Sequence, residues 1–162
     1  MIRLKQSLMR QLILLSSAVL LSVSAIAADL NQTQALAYQG DVIAQYDLGL
    51  MYDTGEDVPQ NYAKTVEWYA KAANQGLASA QYNLGLMYAN GRGVRQDYAK
   101  AIEWYTKAAN QGYANAQSNL ALMYYLGQGL RQDSAIAKEW FGKSCDNGFQ
   151  KGCDNYRILN LR

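Results

Sequence analysis

The chain contains no histidine. That absence removes every Ser-His and Cys-His nucleophile pair, together with the usual nitrogen ligand of zinc. Cysteine is nearly missing too: Cys145 and Cys153 are the only two, which argues against a zinc site. Their Cys-x7-Cys spacing is not the Cys-x-x-Cys of redox-active pairs. There is one proline and little clustering of charge, which argues against disordered segments. After residue 27 no Ser-x-x-Lys occurs, since Ser134 and Lys138 stand one place too far apart for a serine nucleophile and its base. Lys64-Thr65-Val66 echoes the Lys-Thr-Gly element of such enzymes. Its counterpart further on is Lys100-Ala101-Ile102, without the hydroxyl, which points to packing.

The basic surplus is also only apparent. Arg3, Lys5 and Arg10 form a basic n-region, Leu12 to Val23 is apolar with serine interruptions, and Ala25-Ile26-Ala27 is an A-x-A cleavage site. Residues 1–27 therefore read as a signal peptide. The alternative is an uncleaved anchor, but the stretch is short of the ~20 apolar residues of a spanning helix. No cysteine near the cleavage point supports lipoprotein anchoring. Removing the segment takes three of the 15 basic residues and none of the 13 acidic ones, leaving 12 against 13. Nothing basic remains to suggest nucleic acid. Residues 28–162 suffice for one domain with its own core, and export places the two cysteines in an oxidising compartment, periplasmic or extracellular.

What is present is a period of 36 residues. Gly40, Gly76, Gly112 and Gly148 mark it. After the first three comes nearly the same segment: VIAQYDLGLMY from Val42, ASAQYNLGLMY from Ala78 and ANAQSNLALMY from Ala114. A second block follows each, at Val66-Glu67-Trp68-Tyr69, Ile102-Glu103-Trp104-Tyr105 and Lys138-Glu139-Trp140-Phe141. Two helical blocks per unit at this period mark an α-solenoid, a class that binds more often than it reacts. The units are 41–76, 77–112 and 113–148, flanked by half units at 29–40 and 149–162, giving eight helices. Half units at both ends can shield the faces of the stack.

Within a unit the first helix spans roughly 41–53, 77–89 and 113–125, with Ala44, Leu48 and Tyr52 and their counterparts on one apolar face. Gly49 and Gly85 inside it point to close helix approach, and Ala121 fills the third copy. Asn90-Gly91-Arg92-Gly93-Val94 and its counterpart at Leu126 are turns. A phosphate-cradling reading lacks the preceding strand and the terminal Lys-Ser/Thr. Asp57 replaces the second glycine in the first unit, and Pro59 should stiffen that loop. The second helices span roughly 61–75, 97–111 and 133–147, with Asn61, Asp97 and Asp133 as N-caps and Gly76, Gly112 and Gly148 at the left-handed C′ position. Trp68, Trp104 and Trp140 read as packing residues, with carbohydrate stacking as the alternative. Glu67, Glu103 and Glu139 are solvated or paired helix-surface residues.

These motifs resemble the Sel-one-like repeat family, relatives of the tetratricopeptide repeats. The resemblance rests on Leu84-Gly85-Leu86-Met87-Tyr88, Gly91-Arg92-Gly93-Val94, Lys100-Ala101…Trp104-Tyr105 and Lys107-Ala108-Ala109, and it covers almost all of residues 28–162. Departures are Asp57, Ala121 and the exchange of apolar and polar places at Ile136 and Lys138. The resemblance implies an all-α solenoid, a right-handed superhelix of antiparallel helix pairs that scaffolds protein complexes. Exported bacterial members are linked to envelope functions, secretion and host contact. One exported cysteine-rich branch is described as penicillin-binding with weak β-lactamase activity, so a penicillin or cell-wall ligand is the alternative to a protein partner.

Cys145 aligns with Ala73 and Ala109, and Cys153 with Gln81 and Gln117. The pair spans the turn at Gly148, and a disulfide there resembles the bridge of the cysteine-rich branch. It would add roughly 2–3 kcal/mol by chain entropy. By analogy with tetratricopeptide geometry, the partner-binding groove takes Tyr46, Leu50 and Asp53, then Tyr82, Leu86 and Ala89, then Ser118, Leu122 and Tyr125. The alternative is that Leu50, Leu86 and Leu122 pack between helices. Asn83 and Asn119 are candidates to hydrogen-bond an extended peptide backbone. The expected protein is a non-enzymatic monomer without cofactor or metal. It binds a protein or peptide, not nucleic acid, and has no stable membrane insertion once the signal is removed.

Overall fold

The computed structural model describes residues 30–161, which form eight helices and no strand; the segment 1–27, expected to be a signal peptide, lies outside the described residues. After α1 (residues 30–38) come α2 (Val42–Thr54), α3 (Tyr62–Asn74), α4 (Ala78–Asn90), α5 (Tyr98–Asn110), α6 (Ala114–Leu126), α7 (Ser134–Asp146) and α8 (Gln150–Asn160). Each packs on its neighbours in sequence, and α6 also touches α8. The arrangement is an all-α solenoid.

Polar side chains start the second helix of each pair. The Asn61 carbonyl accepts from the Lys64 N–H at 3.1 Å, Asp97 from Lys100 at 3.0 Å, and Asp133 from both Ala135 and Ile136 at 2.9 Å. Each cap contributes about 1 kcal/mol. These helices end where Gly76, Gly112 and Gly148 take positive φ. The Gly76 N–H reaches Ala73 O and the Leu77 N–H reaches Ala72 O, a Schellman ending. The first helices begin one residue later than their periodicity suggests, because Asp41, Leu77 and Tyr113 are extended cap residues. Only Asp41 caps with its side chain, accepting from the Ala44 N–H at 2.8 Å.

Close approach explains the glycines inside α2 and α4. A Cβ at Gly49 or Gly85 would lie 2.6 Å from the ring of Tyr69 or Tyr105. In the third pair both partners change, and Ala121 packs with Phe141. A similar exchange closes the stack. Ser144 and Gly152 stand where Ala108 and Ala116 stand one unit earlier, and a Cβ at Gly152 would meet Ser144 Oγ at 2.5 Å. The Ser144 hydroxyl donates to Ala114 O at 2.8 Å.

A buried amide ladder joins successive units. Gln45, Gln81 and Gln117 are buried. Their Nε2 groups donate to the carbonyls of Ala37, Ala73 and Ala109 at 3.2, 3.1 and 3.0 Å. Their Oε1 atoms accept from Gln75, Gln111 and Asn147 at 2.8, 2.8 and 3.0 Å. At the last junction Cys153 occupies the glutamine position. There the Cys145–Cys153 disulfide, with Cα atoms 4.4 Å apart, replaces the side-chain-to-carbonyl bond. Gln81→Ala removes one buried and one partly buried hydrogen bond and is expected to lower stability by about 1–3 kcal/mol. Gln111→Ala, at the exposed end of the same bond, should cost less. Urea denaturation of the two variants checks the order.

Candidate functional site

The α2, α4 and α6 positions expected to form a groove share one face, and the structure gives each a different task. Leu50 and Leu122 are the open apolar side chains, at 39% and 42% exposed. Leu86 and Ala89 are half-buried. Together with Leu122, Asn119 and Tyr105 they line a recess of about 260 Å³ between α4 and α6. On the other side of Leu122 a second recess of about 200 Å³ is lined by Tyr125, Phe141, Asn155 and Ile158. Ser118 occupies the place of Tyr46 and Tyr82 but is only 5% exposed, so it offers the face little side chain.

The two tyrosines belong to an aromatic layer. Tyr46 stacks on Tyr69 with ring centres 5.6 Å apart. Tyr82 lies between Tyr105 at 6.0 Å and Tyr113 at 5.2 Å. Asn83 donates to the Tyr46 hydroxyl at 3.2 Å, so its amide is committed within the protein. The buried Tyr69 hydroxyl meets no hydrogen-bond geometry, and Asn83, near enough to work against the rise of its pKa, donates to Tyr46. Burial pushes the Tyr69, Tyr82, Tyr105 and Tyr113 phenols above their ordinary range, and Asn119 works against that rise at Tyr82 and Tyr105. The phenols stay neutral at physiological pH. Asp53 is held by an ion pair with Arg92 at 2.9 Å, and the Arg92 guanidinium lies 4.2 Å from the Tyr62 ring centre. The face therefore presents neutral amides, phenols and leucines, with its charge paired at one edge.

Several of these residues were not legible as parts of one surface. Arg92 belongs to a turn, and Tyr105 and Tyr113 lie outside the first helices. No periodic signal links them to Leu86 and Leu122. The other repeated candidates resolve as structure. Lys71, Lys107 and Lys143 lie 3.7, 4.0 and 4.2 Å from the ring centres of Trp68, Trp104 and Trp140. They also pair with Glu67, Glu103 and Glu139 at 2.8, 2.7 and 2.7 Å. One face of each indole is thus covered, leaving less for a sugar to stack on. The Thr65 hydroxyl is buried and donates to Asn61 O at 3.1 Å, so Lys64-Thr65 is helix packing. Among the described residues there is no metal-ligating cluster, and no helix is long and apolar enough to cross a membrane.

The comparisons agree with this architecture. The Sel1 repeat profile matches residues 42–77, 78–113 and 114–149, each unit one residue later than the boundary drawn at the glycines. A protective antigen of uropathogenic Escherichia coli strains with an SLR fold is 42% identical, with a TM-score of 0.75. The match covers 76% of this chain and 26% of the antigen, so this chain spans about a quarter of its length. A Sel1 repeat protein from Oxalobacter formigenes is 38% identical over 80% of this chain and 98% of that one, with a TM-score of 0.73. Cysteine-rich protein B of Helicobacter pylori is 25% identical over 78% of this chain and 93% of that one, with a TM-score of 0.63. No curated protein matches the sequence significantly. With three repeats matched over most of its length, the chain belongs to the Sel1 repeat family, whose members are generally non-enzymatic scaffolds for protein–protein interaction.

Proposed function

We propose that this protein is an exported adaptor, periplasmic or secreted, that binds a peptide or protein segment along the face running from Tyr46 to Tyr125. The observation that carries the reading is the pair of recesses meeting at Leu122. The smaller, lined mainly by Leu122, Phe141, Ile158 and Leu159, would seat an apolar side chain of an extended segment, and the larger, of mixed lining, would take a polar or small one. Asn90, Gln96 and Gln128 at the rim of the larger one suit a neutral backbone. Rigid tyrosines beside such recesses are residues that commonly dominate interface energetics. The exported reading draws on the 1–27 segment and on the disulfide, a bond of oxidising compartments.

Leu50→Ser with Leu122→Ser alters two exposed side chains and is expected to leave folding intact while weakening partner capture at least about tenfold, a loss of ~1.4 kcal/mol. Crosslinking in the periplasm followed by mass spectrometry, wild type against the variant, makes the measurement. Equal recovery of the partner from both would reject the groove. N-terminal sequencing of the exported protein should begin at Ala28. Covalent labelling by a fluorescent penicillin would instead favour a cell-wall ligand.

A further inference from the structure

The two recesses that meet at Leu122 are one recess built twice, a repeat unit apart. Leu86, Tyr105 and Asn119 line the larger, and their counterparts one unit later, Leu122, Phe141 and Asn155, line the smaller. Leu122 also closes the far side of the larger recess, and Ile158 takes that place in the smaller. The repeat therefore sets like sites in a row along the face, with a shared leucine as the wall between them.

The same places carry different chemistry. In the larger recess Tyr105 brings a hydroxyl, and Asn119, Asn90 and Gln128 bring amides. Gln96 at its rim is committed within the protein, donating to Ala89 O at 2.8 Å and to the Tyr98 hydroxyl at 3.1 Å. In the smaller recess the hydroxyl is gone with Phe141, and Leu159 replaces Met123. Asn155 is the one amide left in its lining. Among the described residues that line the two recesses none is charged.

The first unit fills the corresponding place. Asp53 and Arg92 stand where Ala89 and Gln128 stand one unit later, and they are paired at 2.9 Å. Both lie near enough to Tyr69, the counterpart of Tyr105, to act on its phenol, and the Tyr69 hydroxyl is buried. A side chain entering there would have to part an ion pair that the second unit lacks. Two adjacent sites remain for a ligand, one polar and one apolar.

We propose that these two sites read two side chains of the partner segment in fixed order, an amide or hydroxyl side chain between α4 and α6 and an aliphatic one between α6 and α8. The selectivity comes from penalties at each site. An aliphatic side chain in the larger recess leaves the Tyr105 and Asn119 polar groups without water or partner. An amide in the smaller one loses its hydration against Phe141, Ile158 and Leu159. A charged side chain in either is desolvated with no opposite charge to meet it. The proposal rests on the groove reading above and adds the chemistry of the segment.

Selection of a random displayed-peptide library on the immobilised, oxidised chain 28–162 tests it. Enriched peptides should carry Asn, Gln, Ser or Thr at one position and Leu, Ile, Val or Met at a second, with constant order and separation. For one such peptide with an asparagine, replacing that asparagine by leucine should weaken binding to the wild type at least about tenfold, and to Tyr105→Phe less than about threefold. Replacing its aliphatic residue by asparagine should likewise weaken binding to the wild type at least about tenfold, and to Ile158→Asn less than about threefold. Both variants should keep the helical circular-dichroism spectrum, since Phe141 already fills the Tyr105 place one unit later and Ile158 is 52% exposed. Charged residues enriched at either position, or an undiminished asparagine preference in Tyr105→Phe, overturn the proposal. Peptides that bind Leu50→Ser with Leu122→Ser as well as the wild type would remove the groove reading itself. Peptides lost by that variant but lacking the polar and apolar pair would remove the proposal alone, and no enrichment at all would reject both.

Discussion

Replacing Gly93 by alanine is expected to lower stability by about 3–4 kcal/mol. Two terms combine. Gly93 has φ of +70°, where an L side chain costs roughly 1–2 kcal/mol. The new Cβ would also fall on the Tyr62 carbonyl at the start of the preceding α3 helix. That obstacle is backbone, so relief requires moving one unit against the next, at roughly 1–3 kcal/mol. Against a total stability of about 5–15 kcal/mol the loss is large. Asp57 is the internal control. It stands in the same loop position one unit earlier and already holds a φ of 62°, so Asp57→Gly should change stability by less than ~1 kcal/mol. Urea denaturation of both variants decides the matter. A Gly93→Ala loss below ~1 kcal/mol would mean that the loop yields and does not fix the spacing of units.

Reduction of the disulfide, or Cys153→Ser, is expected to cost about 2–3 kcal/mol, felt mainly in α8. That helix has one flank of the stack to hold it, packing on α7 with a lesser contact to α6. Amide hydrogen exchange over residues 150–160 should accelerate roughly 30- to 150-fold, with α4 and α5 little changed. The ladder suggests a substitute. Cys145→Ala with Cys153→Gln restores the residues found at Ala73 and Gln81 and at Ala109 and Gln117, where the glutamine reaches the alanine carbonyl at 3.1 and 3.0 Å. This pair of changes should recover about 1 kcal/mol of the loss and remove the sensitivity to reductant. Exchange in α8 as fast as in Cys153→Ser would show that the hydrogen bond cannot replace the crosslink.

The helices were legible in the sequence because their signals are local and repeated. Asn61, Asp97 and Asp133 precede the second helices, Gly76, Gly112 and Gly148 follow them, and the Trp-Tyr blocks recur between. The amide ladder was not legible. Gln45, Gln81 and Gln117 recur with the same regularity, but a glutamine in a helix reads as surface until its partners are known. Those partners, Gln75, Gln111 and Asn147, belong to the next helix. The groove is intermediate. Its first-helix positions follow from tetratricopeptide geometry, yet whether a side chain opens outward depends on its neighbours. Leu122 stands open while Ser118, one turn earlier, is covered. The ion pair of Asp53 with Arg92 and the hydrogen bond of Asn83 to Tyr46 cross from one unit to the next, and such pairings cannot be read from the composition of either unit.

Contacts that run from each helix to its immediate neighbours have a consequence for how such a chain can vary over generations. A loop that gains a few residues would carry the ladder glutamine away from its carbonyl and the turn glycine away from the helix beneath it, so small insertions at these junctions should be purged. A gain or loss of one entire copy leaves every junction as it was. The natural increment of inheritance is then the whole 36-residue module, added or dropped at once.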